Sequence, residues 1–162
     1  MVKSLLPYIE AALPARAEKE GRLLFGFSKS GWGAFTLLLR NPEVFGYAAA
    51  WDTPFMFDGT DADWGKIGIS KNFGMRENFQ KSLPSKLVLE NADYLKKRAR
   101  LVLAPGDGWK RETIAMHDLL DQQSIPQIYR ADLLFPHRWD SGWFSPLMDE
   151  LIRLSRDTLG KD

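Results

Sequence analysis

The chain has 162 residues, no cysteine, 44% hydrophobic and 27% charged residues, and a formal net charge of +1. That length holds one domain with a real core, and the composition excludes disorder, a disulfide framework and a thiolate metal site. The near-neutral charge gives no reason to expect a nucleic-acid partner, and no apolar run approaches the ~20 residues of a membrane span.

Leu5, Leu6, Ile9 and Leu13 recur at helical spacing and predict a short amphipathic helix over 3–13, ended by Pro14. Pro7 and Glu10 interrupt any signal-peptide core, so a soluble protein is expected, its compartment left open with a cytoplasmic location favoured. Arg22 to Phe27 is a nearly continuous apolar run, as in a strand covered on both faces. Ser30 to Arg40 reads as a helix stopped at Asn41-Pro42, because the residue before proline avoids the helical region. Phe45 to Trp51 is a second strand. Residues 52–97 form an irregular insertion with scattered aromatics, helical near Asn91 to Lys97.

Arg100 to Ala104 is a third strand, followed by the turn Pro105-Gly106-Asp107-Gly108 and a helix from Arg111 to Gln123. Pro126 to Asp132 is a fourth. After a loop, Ser145 is the expected N-cap and Pro146 the first helical residue of a final helix. This alternation predicts an α/β fold in one domain over 1–162, a three-layer sandwich with a parallel sheet of about four strands.

Gly26-Phe27-Ser28-Lys29-Ser30-Gly31 lies where the first strand ends and the first long helix begins. A sharp turn there lifts the Ser28 hydroxyl above the sheet, as a nucleophile elbow requires. The usual Gly-x-Ser-x-Gly form has Ser30 at its second glycine, a small residue that still fits. As alternatives, the same turn merely packs, or its helix N-terminus binds a phosphate. The glycine spacing matches neither a dinucleotide fingerprint nor a P-loop.

A serine hydroxyl needs a base, and histidine, with a pKa near ~6.5, suits that task. His117 falls mid-helix and reads as an ordinary helical residue. His137 lies in the loop after the fourth strand, within Phe135-Pro136-His137-Arg138-Trp139-Asp140-Ser141-Gly142-Trp143. Pro136, Trp139 and Trp143 are expected to fix that loop and shield the imidazole. For the acid that orients the ring, Asp107 after the third strand is preferred, with Asp52 after the second as the alternative. Both also read as ordinary turn aspartates.

The motif Gly26 to Trp32, the order serine, acid, histidine, and the His137-Arg138-Trp139 loop together resemble the α/β-hydrolase superfamily, nearest its esterase branch. The resemblance covers nearly the whole chain. It implies cleavage of a carboxylic ester or related acyl bond through an acyl-serine, with no metal or organic cofactor. The Lys29 backbone N–H would serve as an oxyanion-hole donor. Trp32, Trp51, Trp64 and Trp139 are candidates for the substrate-binding wall, and the expected partner is a small acyl ester rather than a nucleic acid or a membrane.

Only 27 residues precede Ser28, whereas the family places several strands ahead of its nucleophile strand. A truncated domain is therefore expected. It would lack a second oxyanion donor, worth roughly 3 kcal/mol, and carry an open strand edge that invites association. The alternative function is a catalytically silent interaction module; a third is a small nucleotide-binding protein.

Overall fold

Leu101-Val102-Leu103-Ala104 has no exposed side chain on either face, and such strands need helices above and below. The computed structural model, which describes residues 2–57 and 69–159, supplies them. Strands β1 (Leu23–Phe27), β2 (Tyr47–Trp51), β3 (Leu101–Ala104) and β4 (Gln127–Tyr129) form one sheet in chain order. All three pairings are parallel.

Among the described residues the α-helices are α1 (Leu5–Ala12), α2 (Lys29–Arg40), α3 (Ile69–Phe73), α4 (Arg76–Gln80), α5 (Pro84–Glu90), α6 (Ala92–Leu95), α7 (Lys110–Gln122) and α8 (Phe144–Leu159). Alternation along the strands divides the core in two. Ala48, Ala50, Leu101 and Leu103 face Phe35, Leu38 and Leu39 of α2 and Met116 and Leu120 of α7. Tyr47, Ala49, Trp51, Val102 and Ala104 face Trp143 and, on α8, Leu147 and Leu151. The three layers expected from the sequence are present.

Several boundaries move for physical reasons. The fourth strand ends at Tyr129 rather than Asp132, because only the Arg130 N–H continues the ladder, to Leu103, before the Leu133 N–H turns back to the Arg130 carbonyl. The last helix opens at Phe144, so Ser145 is not its N-cap. The Leu147 N–H donates to the Trp143 carbonyl, and Pro146 occupies the first turn, where no N–H is needed. The 52–97 insertion is more helical than expected, holding α3 to α6, with Pro84 opening α5. Trp64 lies outside the described residues.

No described strand pairs with the outer edge of β1, which borders the sheet. Among the described residues, no helix is long and apolar enough to cross a membrane.

Candidate active site at the carboxyl rim of the sheet

Parallel strands deliver whatever follows them to one rim, where sites on open α/β sheets form. Ser28 follows β1, Asp52 follows β2, Asp107 lies just beyond β3, and His137 belongs to the β4–α8 loop. Hydrogen bonds continue the ladder into the first two. The Ser28 N–H donates to the Trp51 carbonyl at 3.0 Å and the Asp52 N–H to the Ala104 carbonyl at 2.9 Å.

Ser28 has φ 54° and ψ −123°, a conformation that costs a non-glycine residue about 1–3 kcal/mol and persists only where its surroundings enforce it. Here the enforcement is local. The Ser28 carbonyl accepts the N–H groups of Gly31 and Trp32 at 3.0 and 3.2 Å. The strand also runs very close to the helix it feeds: a Cβ on Gly26 would stand 2.2 Å from the Ser30 carbonyl oxygen, so only glycine fits.

Ser30, the departure from the usual motif, has its own task. Its hydroxyl accepts the Phe27 N–H at 2.9 Å and donates to the Phe27 carbonyl at 2.8 Å. Those two backbone groups alternate away from β2, toward the open edge. Lys29 opens α2, so its N–H has no carbonyl one turn earlier within the helix and stays free for an acceptor above Ser28.

The imidazole of His137 meets Asp52, not the preferred Asp107. His137 Nδ1 lies 2.5 Å from Asp52 Oδ2. Asp52 is fully buried, at φ 44°, a left-handed conformation that aspartate tolerates better than most residues. Its Oδ2 also accepts the Gly108 N–H at 2.9 Å, and its Oδ1 the Trp109 N–H at 2.7 Å. Three N–H donors thus converge on one carboxylate, an arrangement suited to an acceptor-only group.

Asp107 instead holds the backbone of the same loop. Its Oδ1 accepts the His137 N–H at 2.7 Å, and its own N–H donates to the Phe135 carbonyl at 3.1 Å. The two aspartates therefore divide the work, one on the ring and one on the main chain. The turn between them has to be glycine-rich. A Cβ on Gly108 would stand 2.7 Å from His137 Nδ1, and one on Gly106 would stand 2.5 Å from the Asp52 carboxylate. Those glycines were legible only as a turn, yet they make the room in which the carboxylate and imidazole meet.

The ring is walled by Phe27, 4.5 Å away between centroids, and by Trp51 at 6.2 Å and 20°. Since Phe27 precedes Ser28, this contact brings His137 to the serine end of β1. About a third of the imidazole side chain remains accessible.

Of the expected shields, Trp143 is buried and stacks on Trp51 at 4.6 Å, whereas Trp139 is 63% exposed and edge-on to Phe27 at 4.7 Å. Arg138 donates two hydrogen bonds to Asp140 and holds that carboxyl below its usual range, its own pKa raised in return. Both sit on the solvent side of the loop.

Trp51, expected at the substrate-binding wall, does not face open space. It is fully buried, and its Nε1 donates to the Leu133 carbonyl at 2.9 Å. The reason is parity: Trp51 shares a strand face with Tyr47 and Ala49, which turns it under α8. Trp32 does line open space. With Lys29, Phe57, Ile69, Phe73 and Phe79 it borders a cavity of about 270 Å³ at the start of α2. His117 lies away from the rim, stacked on Tyr129 at 4.0 Å, with Nδ1 facing the Gln127 amide at 2.8 Å. Among the described residues no group of three or more ligating side chains stands ready for a metal ion.

No curated protein matches the chain. Among solved structures it is similar to a ferulic acid esterase, with TM-score 0.73 and 22% identity over 94% of this chain and 58% of that one. It is likewise similar to a fluorophosphonate-binding serine hydrolase of Staphylococcus aureus, with TM-score 0.72 and 15% identity over 95% of this chain and 62% of that one. An S-formylglutathione hydrolase from Agrobacterium tumefaciens gives TM-score 0.67 and 20% identity, covering 95% and 55%. At these identities the likeness is one of fold, and the chain spans less than two thirds of each of those proteins. The family model described as "Putative esterase" matches residues 1–153, and with the parallel sheet and rim described above, the chain belongs to that esterase family of α/β-hydrolase fold.

Proposed function

We propose that the chain carries the catalytic groups of a serine hydrolase that cleaves a carboxylic ester or related acyl bond, with Ser28 as nucleophile, His137 as base and Asp52 as the acid that orients it. The observation that carries this reading is the 2.5 Å contact between His137 Nδ1 and the buried Asp52 carboxylate, on the same rim as the strained Ser28. A carboxylate on Nδ1 fixes the tautomer that leaves Nε2 unprotonated, the form in which it accepts the serine proton.

The chemistry follows from those roles. Ser28 Oγ attacks the ester carbonyl as its proton passes to His137 Nε2, and the Asp52 carboxylate stabilises the imidazolium that forms. The Lys29 N–H stabilises the oxyanion, helped by the positive end of α2. His137 then protonates the departing alcohol, leaving an acyl-serine. Water, deprotonated by the same imidazole, attacks the acyl carbon and releases the acid and the free serine. Every proton is accounted for among Ser28, His137, water and the two products, so the cycle calls for no metal or organic cofactor.

A fluorophosphonate probe tests the assignment. It labels Ser28, and labelling disappears in Ser28→Ala and His137→Ala. A folded preparation that takes no label overturns it.

The open outer edge of β1 favours a second property, association through that strand. Sedimentation of the purified chain tests it: a monomer at all concentrations rules it out.

A further inference from the structure

We propose that Thr53 is a positioning residue, whose buried hydroxyl ties the turn at Ser28 to the turn at Asp52 and so sets how the proposed catalytic groups stand to one another. The inference rests on Ser28 and Asp52 having the roles given above.

Two hydrogen bonds meet on one carbonyl. The Trp51 carbonyl accepts the Ser28 N–H at 3.0 Å and the Thr53 hydroxyl at 3.1 Å, which fills both lone pairs of that oxygen. The first donor belongs to the residue proposed as nucleophile. The second reaches back across Asp52, closing a small loop around the residue proposed as acid. Inside that loop Asp52 holds φ at 44°, a conformation that persists only where its surroundings enforce it.

The same hydroxyl backs onto the elbow. A Cβ on Gly31 would stand 2.1 Å from Thr53 Oγ1, so the first turn of α2 rests directly on it. The Gly31 N–H donates in turn to the Ser28 carbonyl at 3.0 Å. Thr53 therefore touches both groups that hold the Ser28 backbone, the acceptor of its N–H and a donor to its carbonyl.

Thr53 is itself firmly seated. It is fully buried, and its N–H reaches Oγ1 of Thr113, equally buried on α7, at 3.4 Å. Pro54 follows it and disfavours the helical region for its backbone. Valine has the same shape and would serve packing alone; what the hydroxyl adds is the bond to Trp51.

The test compares three variants of the full chain. Thr53→Val keeps the shape and loses the hydroxyl, Thr53→Ala loses the hydroxyl without adding bulk beside Gly31, and Thr53→Ser keeps the hydroxyl and loses the methyl group. The first readout is hydrolysis of p-nitrophenyl acetate. Thr53→Val and Thr53→Ala are expected to lower kcat about tenfold with KM within about twofold, because a small displacement of reacting groups acts on the transition state, and Thr53→Ser to restore most of kcat. The second readout, which needs no catalysis, is hydrogen exchange of the Ser28 amide followed by NMR. Its rate is expected to rise at least about tenfold in Thr53→Val and Thr53→Ala but not in Thr53→Ser, against an unchanged Phe45 amide, which bonds the Asn41 carbonyl. Where Thr53→Val fails to fold, Thr53→Ala carries the comparison. Unaltered kcat or unaltered Ser28 exchange in the variants without the hydroxyl overturns the proposal, and so does a loss in Thr53→Ser as large as theirs. A wild type that neither turns over the ester nor takes a fluorophosphonate, while Ser28 exchange still follows the hydroxyl, sinks the nucleophile and leaves the tie between the two turns standing.

Discussion

Replacing Asp52 by asparagine separates the two carboxylates that follow strands. In the native rim, Asp52 Oδ2 serves both His137 Nδ1 and the Gly108 N–H, while Oδ1 serves the Trp109 N–H. An amide cannot satisfy all three. With its oxygen toward His137, the NH2 confronts the Trp109 N–H; turned over, it donates to Nδ1, forces the proton onto Nε2 and removes the base.

Even the better orientation loses the negative charge opposite the imidazolium. At about 4 Å between charge centres and an effective dielectric near ~20, that charge is worth roughly 4 kcal/mol, close to a thousandfold in rate. We expect kcat/KM for p-nitrophenyl acetate, and the second-order rate of fluorophosphonate labelling, to fall by about that factor in Asp52→Asn. Asp107→Asn keeps a carbonyl oxygen for the His137 N–H and stays within about tenfold of wild type, as expected for an exposed charge. Circular dichroism checks that both variants fold. The reverse outcome, a thousandfold loss at Asp107 with Asp52→Asn nearly intact, refutes the reasoning.

Other expectations follow from the same geometry. Gly108→Ala pushes a methyl group against His137 Nδ1, and a displacement of about 1 Å at a reacting group costs on the order of a hundredfold; labelling kinetics on folded protein measure it. Ser30→Gly strips the hydroxyl that closes the Phe27 N–H and carbonyl, costing about 1 kcal/mol and lowering Tm by roughly 2–4 °C in a thermal melt. Trp51→Phe leaves the Leu133 carbonyl without its donor and a space beneath α8, a loss of about 2–3 kcal/mol in chemical denaturation.

The chain wrote its sheet plainly. Leu101-Val102-Leu103-Ala104 has no polar residue to spare for solvent, and that alone predicts a strand with helices on both sides. The strand-to-helix turn at Ser28 was legible because an apolar run stops there and a helix begins. Which aspartate meets the histidine was not, since both follow strands, and the outcome depends on how closely the Gly106-Asp107-Gly108 turn passes over Asp52. That is a packing distance between segments remote in sequence.

The burial of Trp51 went unread although its parity with Tyr47 and Ala49 was available; an aromatic at a strand end looks alike from the sequence whether it faces a cavity or a helix. The start of α8 was misjudged because Ser145-Pro146 carries an N-cap signature that the Trp143 carbonyl makes unnecessary. That Trp32 stands one helical turn beyond Ser28 was legible, a relation that helical spacing fixes in advance.

The backbone bonds from Ser28 to Trp51 and from Asp52 to Ala104 make these two residues the last rungs of a single ladder. Their separation is inherited from strand spacing and twist, quantities that hardly fluctuate while β2 stays clamped between its neighbours. In the proposed mechanism reactivity and cohesion are therefore tied: a lesion that loosens the end of β2 releases both residues at once, while most of the helices remain in place.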